Sequence, residues 1–254
     1  FKNKKSFNNF EYSLKKTSPI SGFLKDKVDI FKLPSYNKGE WWIQDYSSSY
    51  PLMKVPDSVI AKKNIDLCGA PGGKSFQILA KNKKIIINDK NKKRLEIVKK
   101  NLTRLNYNTQ LTNKDIFNFD TKQKYNFIIL DSPCSSLGTI RKNPEIFFKK
   151  KEPNVESLAI IQKKLLKKAS DLLHEKGIIL YMVCSFLKIE TRYQIENFLK
   201  QHKNFVIINY FEKKEIFKEL QSINHIYNLP TNLDKYKIDG YFAIYLKKIK
   251  NEIN

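Results

Sequence analysis

Three cysteines stand where an apolar segment runs into a loop, and thiols at such places can do chemistry. They are Cys68 in Asp-Leu-Cys-Gly, Cys134 in Asp-Ser-Pro-Cys-Ser and Cys184 in Tyr-Met-Val-Cys-Ser. Strand exits are where open α/β sheets hold their ligands. Cysteines without a function are mostly small buried residues inside core segments. Thiols at successive strand exits, beside a glycine-rich turn, therefore predict thiol chemistry next to a bound cofactor.

The glycine-rich turn lies between a predicted strand and a predicted helix. It consists of Cys68, Gly69, Ala70, Pro71, Gly72, Gly73 and Lys74. Glycines let the backbone approach a ligand closely, and the helix N-terminus offers unpaired N–H groups. A nucleotide phosphate loop requires a glycine, four residues and then Gly-Lys-Ser, and it would use Asp131 to bind magnesium. Counted back from Gly73-Lys74-Ser75, the first glycine would fall on Cys68, so the spacing disfavours this motif. The alternative is a Rossmann-like nucleoside site with Asp89, about 20 residues after Asp66, binding the ribose hydroxyls.

A nucleoside cofactor and two thiols narrow the chemistry. A thiolate can add to C6 of a pyrimidine, which turns C5 into an enamine carbon able to accept a methyl group. An acid hydrogen-bonded at N3 would stabilise the charge that develops, and Asp131, close before Cys134, suits that role. The second cysteine is the candidate for releasing the product. From the residues alone, Cys134 and Cys184 are equivalent candidates for the nucleophile.

Hydrophobic periodicity predicts an alternation of strands and helices that positions these residues. The predicted strands are 64–67, 84–88, 108–113, 125–130, 177–183, 205–210 and 240–246, and the predicted helices are 75–81, 92–105, 154–173 and 190–202. This order favours an α/β fold with a mostly parallel sheet, helices on both faces and a C-terminal antiparallel hairpin. Residues 1–39 are expected to be irregular, and residues 41–45 to begin the domain.

Composition sets the frame for these elements. The 254 residues, 41% of them hydrophobic, suffice for one α/β domain and a small appendage. Three cysteines make no disulfide framework, and neither a leading apolar region nor a membrane span is visible, so we expect a cytoplasmic protein. The net charge of +23 favours a polyanionic partner, although scattered lysines are also what an A+T-rich coding bias produces. The chain opens on Phe1, as the downstream part of a longer polypeptide would.

Several motifs in one order resemble the RNA 5-methylcytosine methyltransferases. The resemblance covers about residues 39–248 and is most similar to the bacterial enzymes that modify 16S rRNA. Its motifs are Asp66-Leu-Cys-Gly-Ala-Pro-Gly-Gly-Lys74, Asp131-Ser-Pro-Cys-Ser135, Tyr181-Met-Val-Cys-Ser185 with Glu190, Trp42-Ile-Gln-Asp45, Gly138-Thr-Ile-Arg-Lys-Asn-Pro-Glu145 and Asp239-Gly-Tyr-Phe242. The family implies a Rossmann-like S-adenosylmethionine-dependent fold with ribosomal RNA as the partner. We also expect a monomer without a metal site and without membrane contact.

The resemblance also assigns roles to residues. Cys184 would be the nucleophile, Cys134 would help to release the product, and Asp131 would complete the catalytic set. S-adenosylmethionine would be held by the turn from Cys68 to Lys74 together with Asp89, Asp115 and Asp131. Arg141 and Lys142 would hold RNA phosphates.

This chain departs from the family pattern at a few places. Val183 replaces the threonine usual before the nucleophile, and Thr191 and Arg192 replace the Glu-Asn usual after the first acid, Glu190. Residues 1–38 are expected to be a linker or the tail of an RNA-recognition subdomain, with residues 39–250 as the catalytic domain. Two alternatives stay open: an RNA-binding or ribosome-assembly protein without turnover, and a nucleotide hydrolase.

Overall fold

The computed structural model describes residues 1–25, 28–60, 62–148, 154–210, 227–229 and 238–250. The strands are β1 (Leu14–Ser18), β2 (Ser21–Leu24), β3 (Asn64–Asp66), β4 (Ile86–Asn88), β5 (Leu111–Thr112), β6 (Tyr125–Asp131), β7 (Leu173–Val183), β8 (Phe205–Ile208), β9 (Tyr227–Leu229) and β10 (Tyr241–Lys248). The helices are α1 (Lys4–Asn8), α2 (Tyr46–Lys54), α3 (Gly73–Ala80), α4 (Lys92–Arg104), α5 (Val155–Asp171) and α6 (Arg192–Gln201). No helix in these ranges is long and apolar enough to cross a membrane.

One mixed sheet carries most of the chain. Its strand order is β5-β4-β3-β6-β7-β10-β8, and β9 also pairs with β10. The neighbours from β5 to β7 are parallel, whereas β10 runs antiparallel to β7, β8 and β9. This arrangement confirms the predicted α/β fold, and it brings the carboxyl ends of β3, β4, β6 and β7 to one edge.

Apolar layers cover both faces of the sheet. Along β6, Phe127 and Ile129 join a cluster with residues of α2, α3 and α4, whereas Ile128 and Leu130 join one with α5 and α6. Successive side chains of a strand point to opposite faces, so a central strand buried on both is apolar throughout. The continuous apolar run that predicted β6 has this physical cause.

Two helices begin where asparagine side chains cap them. Asn91 accepts a hydrogen bond from the Arg94 backbone N–H at 3.1 Å before α4, and Asn154 accepts one from the Ser157 N–H at 2.9 Å before α5. Such caps satisfy amide groups that have no partner within the helix. These helices therefore start close to the predicted positions.

The expectation that residues 1–39 are irregular is wrong. They contain α1 and the antiparallel hairpin β1–β2, whose strands meet with Ser18 opposite Ser21. The Ser18-Pro19 pair favours a turn, and the Thr17 and Ser18 hydroxyls both lie within hydrogen-bond distance of Ser21 Oγ. Phe23 of β2 packs on Tyr46 with ring centroids 5.5 Å apart, which ties the hairpin to the main domain.

Some element bounds also differ from the prediction. Helix α2 was not predicted; Asp45 caps it by accepting from the Ser47 N–H at 2.9 Å, and Tyr245 in the sheet donates its hydroxyl to Pro51 O at 2.6 Å. Strand β7 begins at Leu173 rather than at Gly177, and α6 begins at Arg192, two residues after Glu190. The last difference leaves Glu190 in the turn before the helix.

Candidate active site

The glycine-rich turn after β3 folds closely over β4. Gly69 donates its N–H to Asn88 O at 2.7 Å, and a Cβ on Gly69 would lie 2.5 Å from Ile87 Cγ2. Gly72 has a φ of +107°, and a Cβ there would meet the Phe76 ring at 2.3 Å. Only glycine fits both positions, and α3 begins directly afterwards, at Gly73, without a side-chain cap.

Three acids, Asp66, Asp89 and Asp115, lie at or just after the ends of β3, β4 and β5, and the last two line the same cleft. Asp89 accepts from the Ala70 N–H at 3.2 Å and from the Asn91 N–H at 2.8 Å, which fixes its carboxylate against the turn. Asp115 accepts from the Phe117 N–H at 3.0 Å. Both acids line a cleft of about 290 Å³ along the strand ends. Of the positions expected to bind the cofactor, Cys68, Asp89, Asp115 and Asp131 line this cleft, whereas the turn from Gly69 to Lys74 lines a neighbouring one.

The cleft has both polar and apolar lining residues. Its apolar lining includes Leu67, Ile116, Phe117 and Leu165, and Cys134 and Cys184 also line it. A planar base fits against such apolar side chains while the acids accept from sugar hydroxyls. The residues present thus fit an adenine nucleoside whose reactive end approaches the thiols.

Asp66 lies on the other side of the turn, in a neighbouring cleft of about 370 Å³. Its side chain is fully buried, and Ser75 Oγ donates to Oδ2 at 2.8 Å. Oδ1 is buried and has no hydrogen-bond partner among the described residues. Burial raises the pKa of Asp66 from 3.8 to about 7, against the opposing effect of the Ser75 bond. An orphaned carboxylate oxygen of this kind fits a donor from a ligand, such as an ammonium group.

The two thiols at the exits of β6 and β7 lie side by side. Cys134 Sγ is 3.3 Å from Cys184 Sγ, and Cys184 Sγ is 3.6 Å from Ser136 Oγ. The hydrogen bond from Cys134, with smaller contributions from Ser136 and Lys74, lowers the pKa of Cys184 against the effect of burial. The same bond, followed by burial, raises the pKa of Cys134 well above its ordinary value. Of the two, Cys184 is the thiol better prepared to be a thiolate.

Asp131 ends β6 beside the thiols and is engaged at both oxygens. Lys74 Nζ donates to Oδ2 at 2.7 Å, and the Tyr241 hydroxyl donates to Oδ1 at 2.8 Å. The Lys74 ammonium also lies 5.4 Å from the centre of the Tyr241 ring. Lys74 therefore brings a buried positive charge to within reach of Asp131 and Cys184 rather than extending into a phosphate loop.

Backbone contacts at Gly138 hold the loop after Cys134 against Cys184. The Gly138 N–H donates to Cys184 O at 2.9 Å, and Gly240 N–H donates to Gly138 O at 2.7 Å. A Cβ on Gly138 would lie 2.0 Å from Gly240 O. The segments around positions 138, 184 and 240, which the sequence motifs singled out separately, thus meet at one point.

Arg141 and Lys142, expected to hold phosphates, are paired with carboxylates. Arg141 lies 3.2 Å from Asp239, and Lys142 lies 2.5 Å from Asp45 and 2.8 Å from Asp239. This group of four charges joins the start of α2, the loop after Cys134 and the segment before β10. Phosphate binding by the two basic residues stays a prediction.

Cys68 differs from the other two cysteines. Burial, together with the nearby carboxylates Asp66, Asp131 and Asp89, raises the pKa of its thiol far above the ordinary value. A thiol that resists ionisation is a poor nucleophile. The structure therefore supports a role for Cys68 in packing and in its backbone rather than in thiol chemistry.

Some residues of the site were not assigned a role from the sequence. They are Tyr241, Asp45, Asp239, Ser135, Ser185, Gln162 and the carboxylate of Glu190. A usable signal existed for all of them except Gln162, because they lie within the motifs that carry the family resemblance. What each side chain contacts is revealed only by the fold, since these motifs are far apart in the sequence.

Comparison with known proteins identifies the family. The family described as 16S rRNA methyltransferase RsmB/F matches residues 57–247. The chain belongs to this family. The RsmB/F match spans all three cysteines, so the resemblance to the RNA 5-methylcytosine methyltransferases is confirmed.

Individual relatives agree with this result. The ribosomal RNA small subunit methyltransferase B of Photorhabdus laumondii is 33% identical over 177 residues, which are 68% of this chain and 41% of that protein. The 28S rRNA (cytosine-C(5))-methyltransferase of Mus musculus is 30% identical over 249 residues, 89% of this chain and 30% of that protein. The chain thus spans less than half the length of these relatives.

A solved structure supports the fold. The crystal structure of NSun6 from Pyrococcus horikoshii aligns with a TM-score of 0.71 at 24% identity, covering 89% of this chain and 57% of that one. At this identity, the likeness concerns the architecture of the sheet and its helices. It agrees with the strand order described above.

Proposed function

We propose that this RsmB/F chain methylates C5 of a cytosine in RNA, with S-adenosylmethionine as the methyl donor and Cys184 as the nucleophile. The observation that carries the proposal is the pair of thiols 3.3 Å apart at the end of a nucleoside-sized cleft, next to the Lys74–Asp131 ion pair. The nucleotide hydrolase lacks support, because Lys74 is turned to Asp131 and the family match is to methyltransferases.

The chain's own residues would hold the cofactor in two places. Asp89 and Asp115 suit the nucleoside, and the turn from Cys68 to Lys74, with the orphaned oxygen of Asp66, suits the amino acid end. S-adenosylmethionine, when bound, supplies an electrophilic methyl group. The glycine turn and the acids fix its orientation, so the methyl group would face the thiols.

The target base would react by covalent catalysis. Cys184 Sγ forms a bond to C6, and the electron pair of the C5–C6 bond moves toward C5, N3 and O2 of the ring. Lys74 Nζ, 2.7 Å from Asp131 Oδ2, can supply the proton that the Asp131 carboxyl group passes to N3, and N3 returns it by the same path when Cys184 leaves. Once C5 carries the methyl group, the Cys134 thiolate, whose own proton has passed to solvent, would take the C5 proton. The electron pair of the C5–H bond then re-forms the C5–C6 double bond, and the C6–S bond breaks to release Cys184 as a thiolate. We assign this release to Cys134, the group next to the departing sulfur.

The choice of RNA is the finer part of the proposal. The family description and the bacterial relative name 16S or small-subunit rRNA, whereas the mouse relative is named for 28S rRNA. We infer that ribosomal RNA is the substrate class and 16S rRNA the first to test. The cytosine must be single-stranded or flipped out, because a base within a helix cannot reach thiols inside a cleft. Cytoplasmic location and the monomeric state stay predictions.

The test uses labelled S-adenosylmethionine with unmodified 16S rRNA and, in parallel, unmodified large-subunit rRNA. We expect Cys184→Ala to be inert and Cys134→Ala to accumulate a covalent protein–RNA adduct that survives denaturing electrophoresis. An adduct formed by Cys184→Ala would exchange the roles of the two thiols. RNA affinity without methyl incorporation by the wild-type chain would instead support the binding protein without turnover.

A further inference from the structure

We propose that Glu190 is the positioning residue that holds the two thiols side by side, an inference that rests on the proposed function. Glu190 lies in the turn before α6, and its side chain is fully buried. It touches neither sulfur atom directly. Its carboxylate instead accepts hydrogen bonds from the residues that follow Cys134 and Cys184.

The contacts of Glu190 are divided evenly between its two oxygens. Oε1 accepts from the Ser135 N–H at 2.8 Å and from Gln162 Nε2 at 3.0 Å. Oε2 accepts from Ser135 Oγ at 2.6 Å and from Ser185 Oγ at 2.5 Å. A carboxylate has about four acceptor sites, so this set occupies it fully. Both loops are therefore attached to one rigid group.

The two attachment points are equivalent in the chain. Ser135 follows Cys134 and Ser185 follows Cys184, and the two hydroxyl oxygens are also only 3.3 Å apart. Because each serine lies next to its cysteine along the backbone, fixing the two hydroxyls on one oxygen limits how far the two sulfur atoms can separate. Glu190 thus adds a side-chain link between the two cysteine segments to the backbone bond from Gly138 N–H to Cys184 O.

Glu190 is itself fixed from behind by the sheet. The Tyr181 hydroxyl, buried in β7, donates to Glu190 O at 3.0 Å, and the Glu190 N–H donates to Leu187 O at 3.0 Å. Strands β6 and β7 are already paired up to Asp131 opposite Met182. Beyond that register the Ser132 N–H still donates to Met182 O at 2.9 Å, and the two segments then leave the sheet as loops. Glu190 continues the connection where the ladder of strand hydrogen bonds ends.

This arrangement has a chemical consequence for Cys184. Its pKa is lowered chiefly by the hydrogen bond from Cys134, a bond that exists only while the loops stay together. Separation of the loops would raise the pKa of Cys184 and would move Cys134 away from the bond it must help to break. Glu190 would thus act on both half-reactions through the serines.

The test measures the thiols of the free, full chain, so its result does not depend on methyl transfer. The probes are iodoacetamide alkylation of Cys184 across pH, quantified by mass spectrometry, and diamide-induced cross-linking of Cys134 to Cys184. The variants are Glu190→Ala, Glu190→Gln, Ser135→Ala and Ser185→Ala. Ser170→Ala is the matched control, because Ser170 is equally buried and its hydroxyl donates within α5, to Lys167 O.

We expect Ser185→Ala and Ser135→Ala each to slow cross-linking about fivefold, which is the effect of losing one buried hydrogen bond. Each should also move the alkylation midpoint of Cys184 to higher pH. Glu190→Ala should do both more strongly. Glu190→Gln should stay close to wild type, because an amide oxygen can accept from Ser135 N–H and Gln162, and the two hydroxyls can turn to accept from its nitrogen. S-adenosylhomocysteine affinity should hold in every folded variant.

The proposal is overturned if the serine variants cross-link at the rate of Ser170→Ala with an unchanged alkylation midpoint. Should Glu190→Ala fail to fold, the two serine variants and Glu190→Gln still decide the question. Failure of the proposed function would look different: the wild-type chain would show the two thiols paired and the pKa of Cys184 lowered, but no methyl incorporation into any RNA.

Discussion

Replacing Asp66 by asparagine should change how the stability of the protein depends on pH. Asp66 is fully buried at the end of β3, and its pKa is raised from 3.8 to about 7, chiefly by burial. The folded state therefore keeps a proton on Asp66 in a range of pH where the unfolded chain has already released it. Asparagine has nearly the same shape and carries no titrating proton.

The sign and size of the effect follow from proton linkage. Between about pH 4 and pH 7 the folded state binds more protons at Asp66 than the unfolded state, so the free energy of unfolding falls as the pH rises. Each pH unit within that window is worth about 1.4 kcal/mol, and the full shift corresponds to about 4 kcal/mol. Between about pH 5 and pH 8 the wild-type chain should lose about 3 kcal/mol that Asp66→Asn does not lose.

The assay is urea unfolding of both proteins at several pH values, followed by circular dichroism. The measured quantity is the free energy of unfolding of Asp66→Asn minus that of the wild type, which should grow steadily with pH and level off above about pH 7. Asp120→Asn, which removes a carboxylate from an exposed turn, controls for the change in net charge. A difference that stays constant from about pH 5 to pH 8 would refute a neutral buried Asp66.

The same experiment reports on the cofactor site. S-adenosylhomocysteine carries an ammonium group, and the orphaned Oδ1 of Asp66 is the acceptor that we assign to it. Saturating ligand should therefore favour the ionised form of Asp66 and flatten the slope of the wild-type chain. An unchanged slope would place the ammonium group elsewhere in the cleft.

Three further changes test other parts of the site. Tyr241→Phe removes a hydrogen bond to the Asp131 carboxylate, and such a bond contributes about 1.5–3 kcal/mol. We therefore expect methyl transfer to slow roughly 10- to 100-fold while the affinity for S-adenosylhomocysteine is unchanged. An unaltered rate of methyl transfer would show that Tyr241 has no part in the mechanism. Diamide should join Cys134 to Cys184 and abolish activity until dithiothreitol is added, whereas a cross-link through a different cysteine would contradict the observed pairing. If Arg141 binds an RNA phosphate, Arg141→Ala should reduce by about 1 the slope of log binding constant against log salt concentration. An unchanged slope would show that Arg141 only forms its ion pairs within the protein.

The sheet could be predicted from the sequence because most of its strands have a recognisable local pattern of residues. Strand β6 is apolar on both faces, and the strands that precede the glycine turn and Asp89 end at recognisable positions. The β1–β2 hairpin and α2 were missed for the opposite reason. Their stability comes from contacts with distant partners, such as Phe23 on Tyr46 and the Tyr245 hydroxyl on Pro51 O. The local signals, the Ser18-Pro19 turn and the Asp45 cap, do not contain those distant contacts.

The same distinction applies to the site. Thiols at strand exits could be expected to lie near each other, since the ends of neighbouring parallel strands share one edge. Their actual pairing depends on the loops after the strands, and hence on a carboxylate that comes 55 positions after Ser135. Glu190 matches the family motif in the sequence, but its role follows only from the structure, in which the hydroxyls of Ser135 and Ser185 both donate to its Oε2.

The net charge of +23 illustrates what a count of residues leaves out. Lys74, Arg141 and Lys142 all contribute to it, yet each is bound to a carboxylate within or beside the site. Those charges orient side chains and are partly neutralised before any RNA arrives. We therefore expect attraction of an RNA backbone to depend on cations that face solvent, and the exposed side of α4, with its lysines opposite the buried Leu95, Val98 and Leu102, is a surface of this kind. Under the proposed function, RNA binding would then be the task of these exposed lysines and alignment of the target base the task of Lys74.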